Sequence, residues 1–399
     1  MRAAALPAQA GATPAGAAAR AAGVPPQHLP TLDGLRGVAI LLVMLHNMEF
    51  LDAPATPVAH GVALAFNLGW VGVQLFFVLS GFLITRILLQ MQDMPGHYRV
   101  FFMRRVLRIF PLYYAALLVF MVLLPTLNGT PVSAQQQMWF WLYLVNWVEP
   151  SQLDSTLLPH FWSLAVEEQF YLAWPFLVFN CSPRRLAGWC LAMAVAVMAL
   201  RVGMRLDGVN PEAIYMYTVS RMDALALGAA AAALTAMPAA WARVVAFGST
   251  RLALVACALL ALGVPATHGL YPRTDSLGQT VGYSVLAVAF TLLLLAGVVA
   301  DQQRASGAGE RWSLRWLRGG ALCVLGKYSY GLYVLHKPLH DLVGKPWLNA
   351  HGLLPTGSVG VSVAYLTVAV VSCLALEMVV FRLLEAPFLA LKRHFPAPA

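Results

Sequence analysis

The sequence predicts an all-α polytopic membrane protein, a bundle of about ten transmembrane helices. Three observations carry that prediction. Of 399 residues, 60% are hydrophobic and only 11% charged, where a soluble domain carries about 25% charged residues. The mean hydropathy is +0.70. The basic residues behind the net charge of +9 fall in short clusters between apolar runs, which is how membrane topology is written. A nucleic-acid surface would want one continuous basic face, so no nucleic-acid partner is expected.

Residues 1–30 are rich in Ala, Pro and Gly and read as a disordered cytoplasmic tail; no apolar core of about 7–15 residues marks a signal peptide there. Helical spans of about 20 residues follow at roughly 35–51, 69–90, 109–127, 160–180, 186–206, 216–237, 244–265, 277–300, 321–342 and 356–381. They form one domain, 31–390, and leave 391–399 as a cytoplasmic C-terminal tail. The segment from Gln137 to Val148 is apolar but too short to cross. With ten spans, the clusters Arg99/Arg104/Arg105/Arg108, Arg184/Arg185, Arg304/Arg311/Arg315/Arg318 and Lys392/Arg393 share one face, which the positive-inside rule makes cytoplasmic, with both termini. The short segment is then re-entrant or interfacial, and Trp139, Trp141 and Trp147 suit an interface.

The cysteines are five, an odd number, with no C-x-x-C spacing. Neither a disulfide framework nor a structural zinc is inferred, and no metal is expected. No internal repeat is evident, although a transporter built from inverted repeats would often show paired, interrupted helices.

Polar residues inside apolar runs mark the candidate chemistry. Pro159 to Pro175 carries His160, Glu167, Glu168 and Gln169. A carboxylate at mid-bilayer costs at least about 2.5–3.5 kcal/mol, so two in succession point to a polar cavity. Adjacent helical residues point about 100° apart; one glutamate is expected to face the cavity and the other a basic partner, Arg36 or Arg221. Arg36 opens the first span, and His46 lies ten residues on, about 15 Å deeper. A histidine there is either a general base or a hydrogen-bonding partner of a neighbouring helix. Gly81 beside Ser80 permits close helix approach. Arg104 and Arg108, four apart, share a helix face; with Arg105 and Arg86 they form either a topology cluster or a phosphate site. Arg221 and Asp223, two apart, do not face each other and need partners elsewhere. Tyr328, Tyr330, Tyr333 and His336 line a hydroxyl-rich pocket or form an interfacial belt.

Seven strings in order then carry a resemblance: L-D-G-L-R-G from Leu32, G-V-Q-L-F-F-V-L-S-G-F-L-I-T from Gly72, R-R-V-L-R-I-F-P-L-Y-Y from Arg104, H-F-W-S-L-A-V-E-E-Q-F-Y-L from His160, S-R-M-D-A-L-A-L-G from Ser220, G-K-Y-S-Y-G-L-Y-V-L-H-K-P from Gly326, and Glu385-Ala386-Pro387. Across nearly all of 31–390 the chain resembles the membrane acyltransferase-3 family. The resemblance implies about ten transmembrane helices in a bacterial inner membrane. It implies acyl-CoA as cytosolic donor, acetyl-CoA by family frequency, and as acceptor a hydroxyl of a carbohydrate or glycolipid on the other face. Partners would be that acceptor, membrane lipid and other envelope glycan-assembly proteins.

In the family an Arg and a His of the first helix are the proposed catalytic pair. Arg36 matches. The His position, eleven residues on, holds Asn47, and His46 stands one residue early. Eleven residues return a side chain to within about 20° of Arg36, whereas ten leave it about 80° away. Either the helix is locally over- or under-wound, as π-type bulges at functional sites allow, and His46 acts, or the catalytic His is lost; the retained His-Asn pair favours the first. Gln74 stands where many members carry Asp. The mechanism expected from these residues sets the donor's phosphates against Arg86, Arg104, Arg105 and Arg108, gives Arg36 and His46 the catalytic role that the resemblance implies, and has Glu167 or Glu168 hold the imidazole or the acceptor. His160, Trp162, Arg221, Asp223, Tyr330 and His336 contact the acceptor. Some members continue into a soluble esterase-like domain, and this chain is expected to act alone or with a separate partner. Alternatives are a transporter or flippase, or a non-catalytic relative in a glycan assembly machine.

Overall fold

The computed structural model describes residues 25–26, 28–48, 56–153, 156–266, 271–307, 312–354 and 358–396, and every regular element among them is helical. In chain order the principal helices are α1 (Pro30–Asn47), α2 (Pro57–Asn67), α3 (Val71–Met91), α4 (His97–Leu117), α5 (Ala134–Trp141), α6 (Trp162–Val178), α7 (Pro183–Leu206) and α8 (Pro211–Met216). They continue with α9 (Thr218–Thr235), α10 (Pro238–Phe247), α11 (Ser249–Ala266), α12 (Tyr283–Ala305), α13 (Gly320–Lys327), α14 (Ser329–Leu339) and α15 (Val359–Val380). Proline opens α1, α2, α7, α8 and α10, where its missing N–H would have had no helical partner anyway.

Each predicted span contains a helix, but not each is a membrane-grade one. Among the described residues, five stretches are long and apolar enough to cross: Pro57–Met91, His97–Leu127, Pro183–Leu206, Gly278–Ala305 and Val359–His394. A sixth counts if Pro211–Thr235 and Pro238–Phe247, bent by 104°, are one span. The shortfall against ten has a local cause. α1 carries Asp33 and Arg36 in 18 residues, α6 carries Glu167 and Glu168 in 17, the predicted 321–342 span is divided at Tyr328 into α13 and α14, and the apolar stretch of α11, Ser249–Val264, is short. Of the predicted tails, 1–24 and 397–399 lie outside the described residues; Leu391–His394 continues the last helical stretch instead of leaving it.

Close backbone approach organises the bundle. α9 packs along α3 and α7, and α13 along α1. A methyl on Gly81 would run into the Leu225 carbonyl, and one on Gly228 into the Val78 carbonyl, so α3 and α9 approach through glycine on both sides. Valine at Gly228 is expected to cost about 1–3 kcal/mol or more by overpacking, read as a lower melting temperature of the detergent-purified protein. Gly203→Val is the control, because nothing lies within 4 Å of that position's Cβ.

The short apolar segment does not cross: α5 has eight residues, about 12 Å of helix. It is tied down by polar contacts. The Tyr113 hydroxyl donates to the Phe140 carbonyl at 2.8 Å, and the Gln169 amide donates to the Tyr143 carbonyl at 2.7 Å and to Asn146 Oδ1 at 2.8 Å. Gln169 is therefore a strut.

Arg221 and Asp223 both find partners on other helices. Asp223 accepts from Arg201 Nη2 of α7 at 2.8 Å and from the Ser284 hydroxyl of α12 at 2.8 Å, with both charged side chains buried. Arg201 also donates to the Ser220 carbonyl at 2.7 Å. Arg221 donates to Gln74 Oε1 at 2.5 Å, and the Gln74 amide donates to the Tyr283 carbonyl at 2.9 Å. The Arg221 guanidinium lies 4.4 Å from the Tyr283 ring centroid. A neutral amide, that of Gln74, thus holds the buried arginine.

Candidate active site

Two cavities flank the bundle's centre, one near each end of α1. The first holds Arg36. α4 contributes Arg105 and Arg108, α3 Ser80, α6 Ser163, Glu167, Glu168 and Tyr171, and α14 Tyr330 and Tyr333. Three guanidinium groups face two carboxylates. Both glutamates line this cavity, contrary to the expected division, because the space wraps around an arc of α6 wider than the angle between neighbours. Glu167 lies in the fields of Arg105 and Arg36, and Glu168 in that of Arg105; Arg221 is committed elsewhere. The Arg105 guanidinium lies 5.1 Å from the Tyr171 ring centroid, and the Tyr171 hydroxyl is hydrogen-bonded to Ser80.

The other two arginines assigned to a donor do not line this space. Arg86 donates to the Pro26 carbonyl at 2.6 Å, and Arg104 to the Phe395 carbonyl at 2.8 Å. Both hold chain ends. The pair facing the cavity is Arg105 and Arg108, three apart, in place of the Arg104–Arg108 pair that the four-residue spacing suggested.

The second cavity holds His46 and Asn47 of α1. α1 is an uninterrupted α-helix from Pro30 to Asn47. The local over- or under-winding expected from the displaced histidine is therefore absent. No rewinding is needed, since the cavity is broad enough to be lined by both residues. Their side chains are not equivalent. The Asn47 amide donates back to the Val43 carbonyl at 3.0 Å, while His46 Nδ1 has no hydrogen-bond partner in the protein.

The other walls are aromatic and polar: Trp70, Trp162 and Tyr215, with His160, Glu212 and Arg273. Arg273 donates to Glu212 Oε1 at 2.6 Å and lies 4.9 Å from the Tyr215 ring centroid. Sequence reasoning missed both members of this pair. They sit in α8 and in the connection before α12, where no apolar periodicity or charge spacing signals a site. Of the residues assigned to an acceptor, His160 and Trp162 line this cavity, whereas Tyr330 lines the first one and donates to the Ile109 carbonyl at 2.7 Å. Arg221, Asp223 and His336 line neither. His336 is fully buried behind His160, ring centroids 4.9 Å apart, with Nδ1 at 2.8 Å from the Tyr333 carbonyl oxygen.

Val73 and Tyr333 line both cavities. The Tyr333 hydroxyl donates to the His160 carbonyl at 3.0 Å and lies 2.5 Å from Ser163 Oγ. Chemically, one side offers clustered guanidinium groups for an anion, and the other a histidine among flat aromatic faces.

The sequence matches an acyltransferase domain family over residues 29–378. It is 30% identical over 345 residues to the Bacillus subtilis protein named "Putative peptidoglycan O-acetyltransferase YrhL", covering 78% of this chain and 49% of that one. It is 29% identical over 224 residues to peptidoglycan O-acetyltransferase OatA of Listeria monocytogenes, covering 52% and 34%. With a Staphylococcus aureus protein named "Putative O-acetyltransferase SACOL0978" it shares 26% identity over 390 residues, covering 91% and 57%. The chain thus spans about half the length, or less, of the first two relatives. No solved structure matches it.

Proposed function

The chain belongs to the acyltransferase-3 family, and from that premise we propose that it is an integral-membrane O-acetyltransferase. It moves an acetyl group from cytosolic acetyl-CoA to a hydroxyl of a carbohydrate or glycolipid acceptor of the bacterial envelope. The observation that supports this best is the pairing of an arginine-lined cavity with a histidine-lined one across a shared partition. The relatives named for peptidoglycan O-acetylation favour a glycan as acceptor. In this reading the bundle stands in the inner membrane with the arginine-rich face and both termini in the cytoplasm. α1, α6, α11 and the α13–α14 pair complete a set of about ten spans, the polar residues of α1 and α6 sheltered by the longer apolar helices.

The mechanism follows from the placement of the groups. Arg105 and Arg108 grip the phosphates of the donor with charge-assisted hydrogen bonds, while Glu167 and Glu168 balance the guanidinium charge. Arg36 orients the thioester arm and offers its charge to developing oxyanion character. The arm extends toward the His46 cavity, where the acceptor lies. The His46 imidazole takes the proton from the acceptor hydroxyl. That oxygen attacks the thioester carbonyl carbon, the C–O bond forms and the C–S bond breaks. The departing thiolate recovers the proton from the imidazolium, leaving an ester and free CoA. Trp70, Trp162 and Tyr215 offer flat faces to a sugar ring, and Glu212 with Arg273 meets its hydroxyls.

The test uses membranes supplied with acetyl-CoA labelled in the acetyl group, following CoA release and label in extracted glycans and lipids. Wild type is expected to transfer label. Arg105→Gln and Arg108→Gln should each raise the KM for acetyl-CoA about tenfold or more, the worth of a hydrogen bond to a charged group, with a smaller change in kcat. Substrate flux without any acetyl-CoA turnover would overturn the reading in favour of transport.

A further inference from the structure

The two cavities meet at a shared boundary, which in the acyl-transfer reading stands between donor and base. Val73 and Tyr333 are the residues common to both linings, and each is 6% exposed. The donor's anchors, Arg105 and Arg108, lie on one side, and His46 lies on the other. An acyl group that reaches His46 from those anchors comes up against these two side chains.

Neither wall yields easily. The Tyr333 hydroxyl is held by Ser163 Oγ at 2.5 Å and the His160 carbonyl at 3.0 Å, and its ring meets Phe76 edge-on at 6.3 Å between centroids. Val73 is β-branched and stiff at χ1. The backbone beside it is pressed against α1, where a methyl on Gly72 would meet the Ala39 carbonyl at 2.5 Å. A close-packed wall of this kind resists widening.

We propose that Val73 and Tyr333 form a width filter that sets acyl specificity, passing unbranched acyl groups and rejecting branched ones. The proposal rests on the acyl-transfer reading above and names which donors that site accepts. One extra methyl in a tight apolar site is worth about 10–200-fold in rate discrimination.

The experiment compares acetyl-CoA, n-butyryl-CoA and isobutyryl-CoA as donors in the same label-transfer assay. The last two carry the same atoms and differ in width. Wild type is expected to use n-butyryl at least tenfold faster than isobutyryl. Val73→Ala should raise isobutyryl transfer relative to n-butyryl at least tenfold, or make it appear where wild type shows none. Val71→Ala, the same truncation two residues away on α3 and outside both cavity linings, should leave the ratio at its wild-type value. Should the alanine variant fail to accumulate, Val73→Leu carries the converse expectation, a fall in n-butyryl relative to acetyl transfer. Equal use of the isomers by wild type, or a ratio that Val73→Ala does not move while wild type transfers acetyl, overturns the filter alone. Absence of acetyl transfer by wild type removes the underlying activity and the filter with it.

Discussion

Replacing His46 by alanine is expected to slow acetyl transfer by about 10²–10⁴-fold, the contribution of one positioned general base, while leaving the KM for acetyl-CoA near its wild-type value. The separation of effects follows from the two cavities. His46 lies in the one that lacks Arg105 and Arg108, so its loss removes chemistry without touching the donor's anchors. Asn47→Ala should have a much smaller effect, although Asn47 occupies the register that the family gives to histidine. Its amide is bonded to its own helix at Val43, whereas His46 Nδ1 is unpaired in the protein. The measurement is initial rate of label transfer at varied acetyl-CoA, with membrane protein levels matched. Above one-tenth of wild-type activity in His46→Ala would take the imidazole out of the mechanism; a larger loss in Asn47→Ala would transfer the role.

Asp223→Ala is expected to act on the fold instead of the chemistry, destabilising it by about 3–5 kcal/mol. That is the usual consequence of leaving a buried charge without its partner, here Arg201, 2.8 Å away with no exposed side-chain surface. Thermal unfolding in detergent should show the loss, and activity per folded molecule should change far less than the yield. Replacing Arg201 and Asp223 together by leucine should recover much of the stability, because an apolar pair of similar bulk removes both desolvation penalties. A normal melting temperature with lost activity would return Asp223 to the acceptor site that its sequence context suggested.

The contrast between those residues shows what could be read before the fold was known. The helices were legible, since long apolar runs and their flanking arginines report membrane geometry directly. Five or six of the ten predicted spans meet the length and hydropathy of a membrane helix among the described residues; α1, α6 and the α13–α14 pair carry charges or breaks that a 20-residue window smooths over. Arg36, Arg105, Arg108, Glu167 and Glu168 were legible as unusual polar residues, and they gather in one cavity. Arg86 and Arg104 looked the same in sequence, yet they bind backbone carbonyls at the chain ends. Position along a helix does not say which neighbour stands opposite. Glu212 and Arg273, separated by 61 residues, come together only through tertiary packing, and nothing in their surroundings distinguishes them from loop charges.

The shared partition has a further consequence, for insulation. In the proposed orientation, one cavity faces the cytoplasm and the other faces away from it, and Val73 and Tyr333 stand where the two meet. Insulation at that point would then fall to protein side chains and not to lipid. A gap that admits an acetyl group also admits a file of water, and with it a path for protons, unless the thioester arm itself fills the bore. In such a molecule the substrate doubles as the stopper, and a turnover that began without it would dissipate the very gradient the membrane exists to hold.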